Sequence, residues 1–117
     1  MQRSIMEGQK GIVGGDQMPF ERSRSDKFAE SLGAGFESAF KNLTSQTLKK
    51  GALPAKEKAL IALAASVAIR CEHCIQRHKE AALEAGASRE EMLEAAAVAA
   101  LVRMGSGLNS AALLLDE

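Results

Sequence analysis

The stretch "AKEKALIALAASVAI", residues 55–69, most narrows what this chain can fold into. Its Leu60, Ile61, Leu63, Ala64, Val67 and Ala68 recur at helical steps and build a broad apolar face. Pro54 stands just ahead, suited to a first helical turn because the N–H it lacks would find no partner there. The rest of the chain is of the same kind. Hydrophobic residues make up 46% of it and rest heavily on Ala and Leu, while aromatics make up 3%, with no Trp or Tyr. Strands draw on aromatic and β-branched side chains that are scarce here, so close-packed helices are favoured over a sheet.

Helical periodicity extends in both directions. Ser25 is placed to cap a first turn, and Phe28, Leu32, Phe36 (with Ala39 and Phe40) and Leu43 keep helical spacing, with Gly33 and Gly35 weakening the run. "LTSQTLKKG" then predicts a break and one short helix ending at Gly51. "CEHCIQRHKEAALEAG" carries the helical pattern on to Gly86, and periodicity leaves open whether the chain bends between Ile69 and Cys71. Ser88 and Glu91 fit a capping box, and the Ala-rich helix after them reaches about Met104, where "GSG" interrupts or kinks it before "LNSAALLL". Ala and Gly on several sides of that helix let backbones approach on more than one face, which predicts a homo-oligomer. Residues 1–24, Gly-rich and polar without a sustained period, read as a flexible or partner-dependent N-terminal arm. Residues 25–117 then form one all-α domain, with no strand pattern and no internal repeat.

A chain of 117 residues suffices for a single core. Its 15 basic residues balance 15 acidic ones, so neither nucleic acid nor an anionic membrane is an expected partner. No run of eighteen apolar residues spans a bilayer, and residues 1–20 lack the compact apolar segment of a secretory signal. The expected location is cytoplasmic, where a Cys pair serves redox or metal chemistry more often than it staples a fold.

Both cysteines and both histidines fall within "RCEHCIQRH", residues 70–78. At about 100° per residue, Cys74 lies about 60° and His78 about 20° from Cys71 on a continuous helix, so the three share a face, whereas His73 lies about 160° away. A thiol with the usual pKa of about 8.5 is only about 3% thiolate at pH 7, while a pKa of about 6.5 would ionise roughly three-quarters of it. An imidazole that takes the thiol proton supplies part of that shift, and a helix N-terminus starting at the cysteines could supply more. If Cys74 attacks a peroxide oxygen, Cys71 can condense with the resulting sulfenic acid; if the substrate is a disulfide, the pair exchanges through a mixed disulfide. Either route ends in a Cys71–Cys74 bridge that a dithiol donor must reduce. Other readings stand beside this one: inert core thiols, a non-catalytic redox sensor, or zinc held by Cys71, Cys74 and His78, for which no fourth Cys or His exists outside the segment.

Residues 53–102, "LPAKEKALIALAASVAIRCEHCIQRHKEAALEAGASREEMLEAAAVAALV", resemble the carboxymuconolactone decarboxylase-like, AhpD-like (alkylhydroperoxidase D) family. The Cys-x-x-Cys-x-x-x-His signature, the "LIALA" helix before it and the "AGAS" turn after it carry the resemblance. It implies an all-helical bundle, trimeric or hexameric assembly, and thiol peroxidase or disulfide reductase activity without metal or flavin. It further implies that Cys74 works with His78, that Cys71 completes the disulfide, and that His73 is a secondary candidate. One position departs: the family's relay Glu falls at Ala59, so either the relay is incomplete or another carboxylate, such as Glu57, Glu72 or one from a neighbouring subunit, stands in. Decarboxylation, which the family name suggests, gains nothing evident from a dithiol.

Overall fold

The structure is a computed structural model, and it describes residues 24–116. The expected N-terminal arm, residues 1–24, lies almost wholly outside them. Five helices follow in order: α1 (Arg24–Ser31), α2 (Ala34–Leu48), α3 (Ala55–Ala68), α4 (Glu72–Glu84) and α5 (Arg89–Ala111), with a closing 3₁₀ turn at Ala112–Leu115. No strand occurs among the described residues, so the fold class is all-α as the composition predicts. The chain divides into two compact units, one ending at Glu37 and the other running from Ser38 onward.

In the first unit the apolar run around Phe28 and Leu32 does not continue unbroken. Gly33 takes φ +106, and the Gly33 N–H turns back to the Glu30 carbonyl, closing α1. Ser25 sits inside the first turn of α1 rather than capping it. The helix begun at Ala34 then runs without a break to Leu48, because Thr44 and Thr47 spend their hydroxyls on the Phe40 and Leu43 carbonyls instead of unwinding the helix.

In the second unit α3 is the central element and packs against both α4 and α5. Ala59, Leu63, Ala82, Ala87 and Met92 form the core, with Leu60, Ile75 and Ala85 against it. Ala82 is fully buried, so helix backbones meet closely there, but no large side chain is fully buried anywhere among the described residues. The core is correspondingly thin. Pro54 forms the N-cap of α3, and the Lys58 ammonium donates to the Thr47 and Lys49 carbonyls at 2.9 and 2.8 Å, tying the end of α2 to α3. At the start of α5 the expected capping box is present: Glu91 N–H donates to Ser88 Oγ at 3.0 Å and Ser88 N–H donates to Glu91 Oε1 at 2.9 Å. The Ser88 N–H foremost, with Lys56 at 3.0 Å, holds the Glu91 carboxyl below its usual range.

α5 is longer than the sequence suggests. It runs straight through Gly105, Ser106 and Gly107 to Ala111, since a Gly in a helix costs only about 1 kcal/mol and does not remove an N–H as Pro would. One of its faces buries Met92 and Ala99. On the opposite side Val98, Leu101, Val102, Met104 and Leu108 are 61–66% exposed, an apolar arc roughly 160° wide at about 100° per residue. By length and composition alone Arg89–Leu115, with mean hydropathy 1.4 over an 18-residue window, is long and apolar enough to cross a membrane, although no uninterrupted apolar run marks it in the sequence. Arg103 near its middle would cost about 2.5–3.5 kcal/mol in a bilayer core.

Two helix ends share one closure. At the end of α4, Gly86 N–H donates to the Leu83 carbonyl and Ala87 N–H to the Ala82 carbonyl, with Gly86 at φ +93. At the end of α3 the same pair of bonds joins Arg70 N–H to Val67 and Cys71 N–H to Ser66, with Arg70 at φ +59. Both are Schellman closures, which favour glycine because a Cβ in the left-handed region costs roughly 1–2 kcal/mol. Arg70→Gly is therefore expected to raise the melting temperature by roughly 4–8 °C for each kcal/mol regained, as read by thermal unfolding in circular dichroism; an unchanged or lower value would refute the strain.

Candidate active site

The Schellman closure at Arg70 answers the question that periodicity leaves open: the chain bends between Ile69 and Cys71. Cys71 becomes the N-cap of α4 in an extended conformation, φ −102 and ψ 101, and its Sγ accepts a hydrogen bond from Cys74 N–H at 3.2 Å. Cys74 lies in the first turn of α4, and the two sulfurs are joined as a disulfide with their Cα atoms 5.2 Å apart. The face-sharing argued for Cys71 on a continuous helix therefore does not apply, and proximity comes from the cap instead. That arrangement directs the unpaired N–H groups and the positive end of the α4 dipole at the Cys71 sulfur, both of which favour a thiolate once the bridge is reduced.

His78 stands four residues after Cys74 on α4, the spacing at which helical side chains meet. It is half-buried, and burial foremost, then the charge of Arg77, lowers its pKa from the usual 6.5. At pH 7 the imidazole is neutral and able to take a proton. His73, by contrast, is exposed in the first turn of α4 and lines a separate cleft of about 250 Å³ together with Glu72, Ile75 and Gln76. The structure thus brings Cys71 and Cys74 together, sets His78 one turn beyond Cys74, and leaves His73 on a surface cleft whose lining excludes the sulfurs.

Ala59 is buried in the core against Leu63, Ala82, Ala87 and Met92, and a carboxylate there would lose its hydration with nothing polar in return. Glu57 and Glu72 are both exposed. No group of three or more His, Cys, Asp or Glu side chains among the described residues is arranged to hold a metal ion. Two participants escaped the sequence reading. Ser66 is a buried polar residue whose hydroxyl donates to the Ala62 carbonyl at 2.7 Å while its own carbonyl receives Cys71 N–H, so it fixes the N-cap from behind. Arg70 supplies the bend itself, without the glycine that would have announced it.

The chain and its fold have counterparts among known proteins. Residues 34–117 match the model of the carboxymuconolactone decarboxylase family. A relative from Paracoccus denitrificans, uncharacterized protein 4 in the cox locus, is 38% identical over 88 residues, covering 73% of this chain and 79% of that one. A crystal structure from Methanobacterium thermoautotrophicum superposes with TM-score 0.70 at 46% identity, covering 78% of this chain and 98% of that one. A second, from Thermotoga maritima, superposes with TM-score 0.56 at 38% identity over 61% of this chain and 73% of that one. That protein is described as a carboxymuconolactone decarboxylase family member and a candidate for the antioxidative response. On the family match and the shared helical fold together, this chain belongs to the carboxymuconolactone decarboxylase family.

Proposed function

We propose that this protein is a dithiol–disulfide oxidoreductase that reduces peroxides, working as a homo-oligomer with a dithiol donor in a cytoplasmic, thiol-reducing setting. The observation that carries the reading is a half-buried disulfide at a helix N-terminus with an imidazole, kept neutral by its surroundings, one turn on. In the reduced protein His78 takes the Cys74 proton, and the Cys74 thiolate attacks a peroxide oxygen, forming the sulfenic acid and releasing the alcohol or water. His78 returns its proton to that departing oxygen; the Cys71 thiolate, stabilised at the N-cap with its own proton already given to solvent, then attacks the Cys74 sulfur, the displaced hydroxide takes a proton back from solvent to leave as water, and the bridge closes. A donor dithiol restores the pair by exchange. The Thermotoga relative's link to antioxidative response is of the same kind. A lyase reading has no comparable support, because neither sulfur assists loss of CO₂.

The oligomer follows from the uncovered face of α5. Fully burying each of its large side chains is worth about 1.5–3 kcal/mol, and a second copy covers Val98, Leu101 and Leu108 without placing Arg103 in hydrocarbon. Light scattering at micromolar concentration should give a multiple of the 12.4 kDa chain mass. Leu101→Glu should shift that mass toward the monomer, and a monomeric wild type would sink the oligomer along with any relay borrowed from a neighbour.

Mass spectrometry after one equivalent of peroxide tests the roles. Cys74→Ser should show no oxidation, and Cys71→Ser should show a single turnover that leaves Cys74 as a sulfenic acid or mixed disulfide. His78→Ala should slow alkylation of Cys74 near pH 7 by roughly tenfold if it loses one pKa unit of activation, with the gap closing as pH rises. A burst retained in Cys74→Ser and lost in Cys71→Ser would reverse the assignment.

His78 also sets a pH dependence. Its folded pKa lies below the unfolded value, so the unfolded state binds the proton more readily, and stability falls as pH drops through 6.5 toward the folded pKa, then levels off. The melting temperature should decline between pH 7.5 and about 5.5 in the wild type, and by less in His78→Gln; an equal decline in both would remove His78 as the cause.

A further inference from the structure

The turn between α3 and α4 carries an arginine where the backbone favours glycine. Gly86 closes α4 with the same hydrogen bonds and no side chain at all, so the turn does not need one. Yet Arg70 holds φ +59, its side chain is exposed, and no hydrogen bond or ion pair among the described residues engages its guanidinium. It directly precedes Cys71, whose sulfur lies at the N-terminus of α4. Backbone strain of this kind persists where a side chain is used at a site.

Resting on the dithiol reading above, we propose that Arg70 is a specificity residue that receives the carboxylate of an anionic disulfide or thiol co-substrate as its sulfur meets the Cys71–Cys74 pair. A guanidinium presents a planar fork that matches a carboxylate through two parallel hydrogen bonds. The rigid turn fixes the root of the side chain beside the sulfur, so a co-substrate carrying its carboxylate a few bonds from its own sulfur reaches both at once. Glu72, exposed in the first turn of α4, adds a negative charge on the helix side, so the preference is for a carboxylate approaching from the α3 side. One unit charge at about 7 Å in water changes an encounter rate by about threefold.

The chemistry balances without a further reagent. A protein thiolate attacks one sulfur of R–S–S–R, forming a mixed disulfide and releasing R–S⁻. The second protein thiol gives up its proton and displaces the remaining R–S⁻, closing the Cys71–Cys74 bridge. Two electrons pass from the protein dithiol to the co-substrate, and an anionic dithiol reverses the sequence.

Two aromatic disulfides separate charge from reactivity: dithiobis(nitrobenzoate), with a carboxylate on each ring, and the uncharged dithiodipyridine. The full-length reduced protein is mixed with each in a stopped-flow instrument. Arg70→Asn keeps a residue that tolerates positive φ, and it should slow the nitrobenzoate about three- to fivefold while changing the dithiodipyridine rate less than about twofold. Arg70→Lys should retain most of the nitrobenzoate rate. Raising salt from about 20 to about 300 mM should slow the wild type with the nitrobenzoate and leave Arg70→Asn nearly unaffected. Equal slowing with both probes, or none with either, would overturn the role of Arg70 while leaving the dithiol reading intact. A wild type inert to both probes would overturn that reading and this inference together.

Discussion

Two backbone hydrogen bonds at the end of α3, Arg70 N–H to the Val67 carbonyl and Cys71 N–H to the Ser66 carbonyl, decide where both sulfurs lie. Had α3 run on into α4 as one helix, Cys71 would sit mid-helix, with every nearby N–H already paired and no field favouring a thiolate. The closure instead starts a new helix at Glu72 and makes Cys71 its cap. A sulfur occupies the place that the Ser88 hydroxyl fills at α5, accepting from the N–H three residues on. In a serine cap that bond serves the helix; in a cysteine cap it also serves the sulfur, because an ionised acceptor makes it charge-assisted.

What the sequence tells and what it hides divide along a physical line. Helices α3, α4 and α5, the Ser88–Glu91 cap and the Gly86 stop are all legible, since each rests on local spacing or on a residue type suited to one backbone conformation. The bend at Arg70 is not, because the apolar period runs through it and arginine carries no mark of positive φ. The same logic failed in reverse at Gly105 and Gly107, where glycines that permit a break sit inside a helix that does not take one. The closeness of Cys71 and Cys74 is legible in their spacing, but its cause is a cap rather than a shared helical face.

The thin core has a functional corollary. Ala59 lies where the resemblance implies a relay carboxylate, and it is packed among Leu63, Ala82, Ala87 and Met92. An alanine lets α3 approach α4 and α5 closely, and in a unit with no fully buried large side chain that contact is hard to give up. A carboxylate at this position would cost that packing, so the alanine serves stability. Glu57 and Glu72, the carboxylates of α3 and α4 nearest in sequence to the cysteine pair, are both exposed.

Under the proposed mechanism the two thiols receive different kinds of help, which suits the roles assigned to them. Cys71 is aided by fixed dipoles, the N–H groups of α4, which stabilise its anion at every pH where the helix is folded. On that mechanism Cys74 relies on His78, whose neutral form must be present to accept the proton, so its activation would fail as the imidazole is protonated at low pH. A sulfur with permanent stabilisation suits the part that must wait as a thiolate and close the bridge. A sulfur coupled to a base suits the part that must gain its charge as substrate arrives and return the proton to the departing oxygen. Burial and Arg77, by keeping His78 neutral, hold that second switch in its ready position near neutral pH, and the bend at Arg70 is what keeps the first one permanently set.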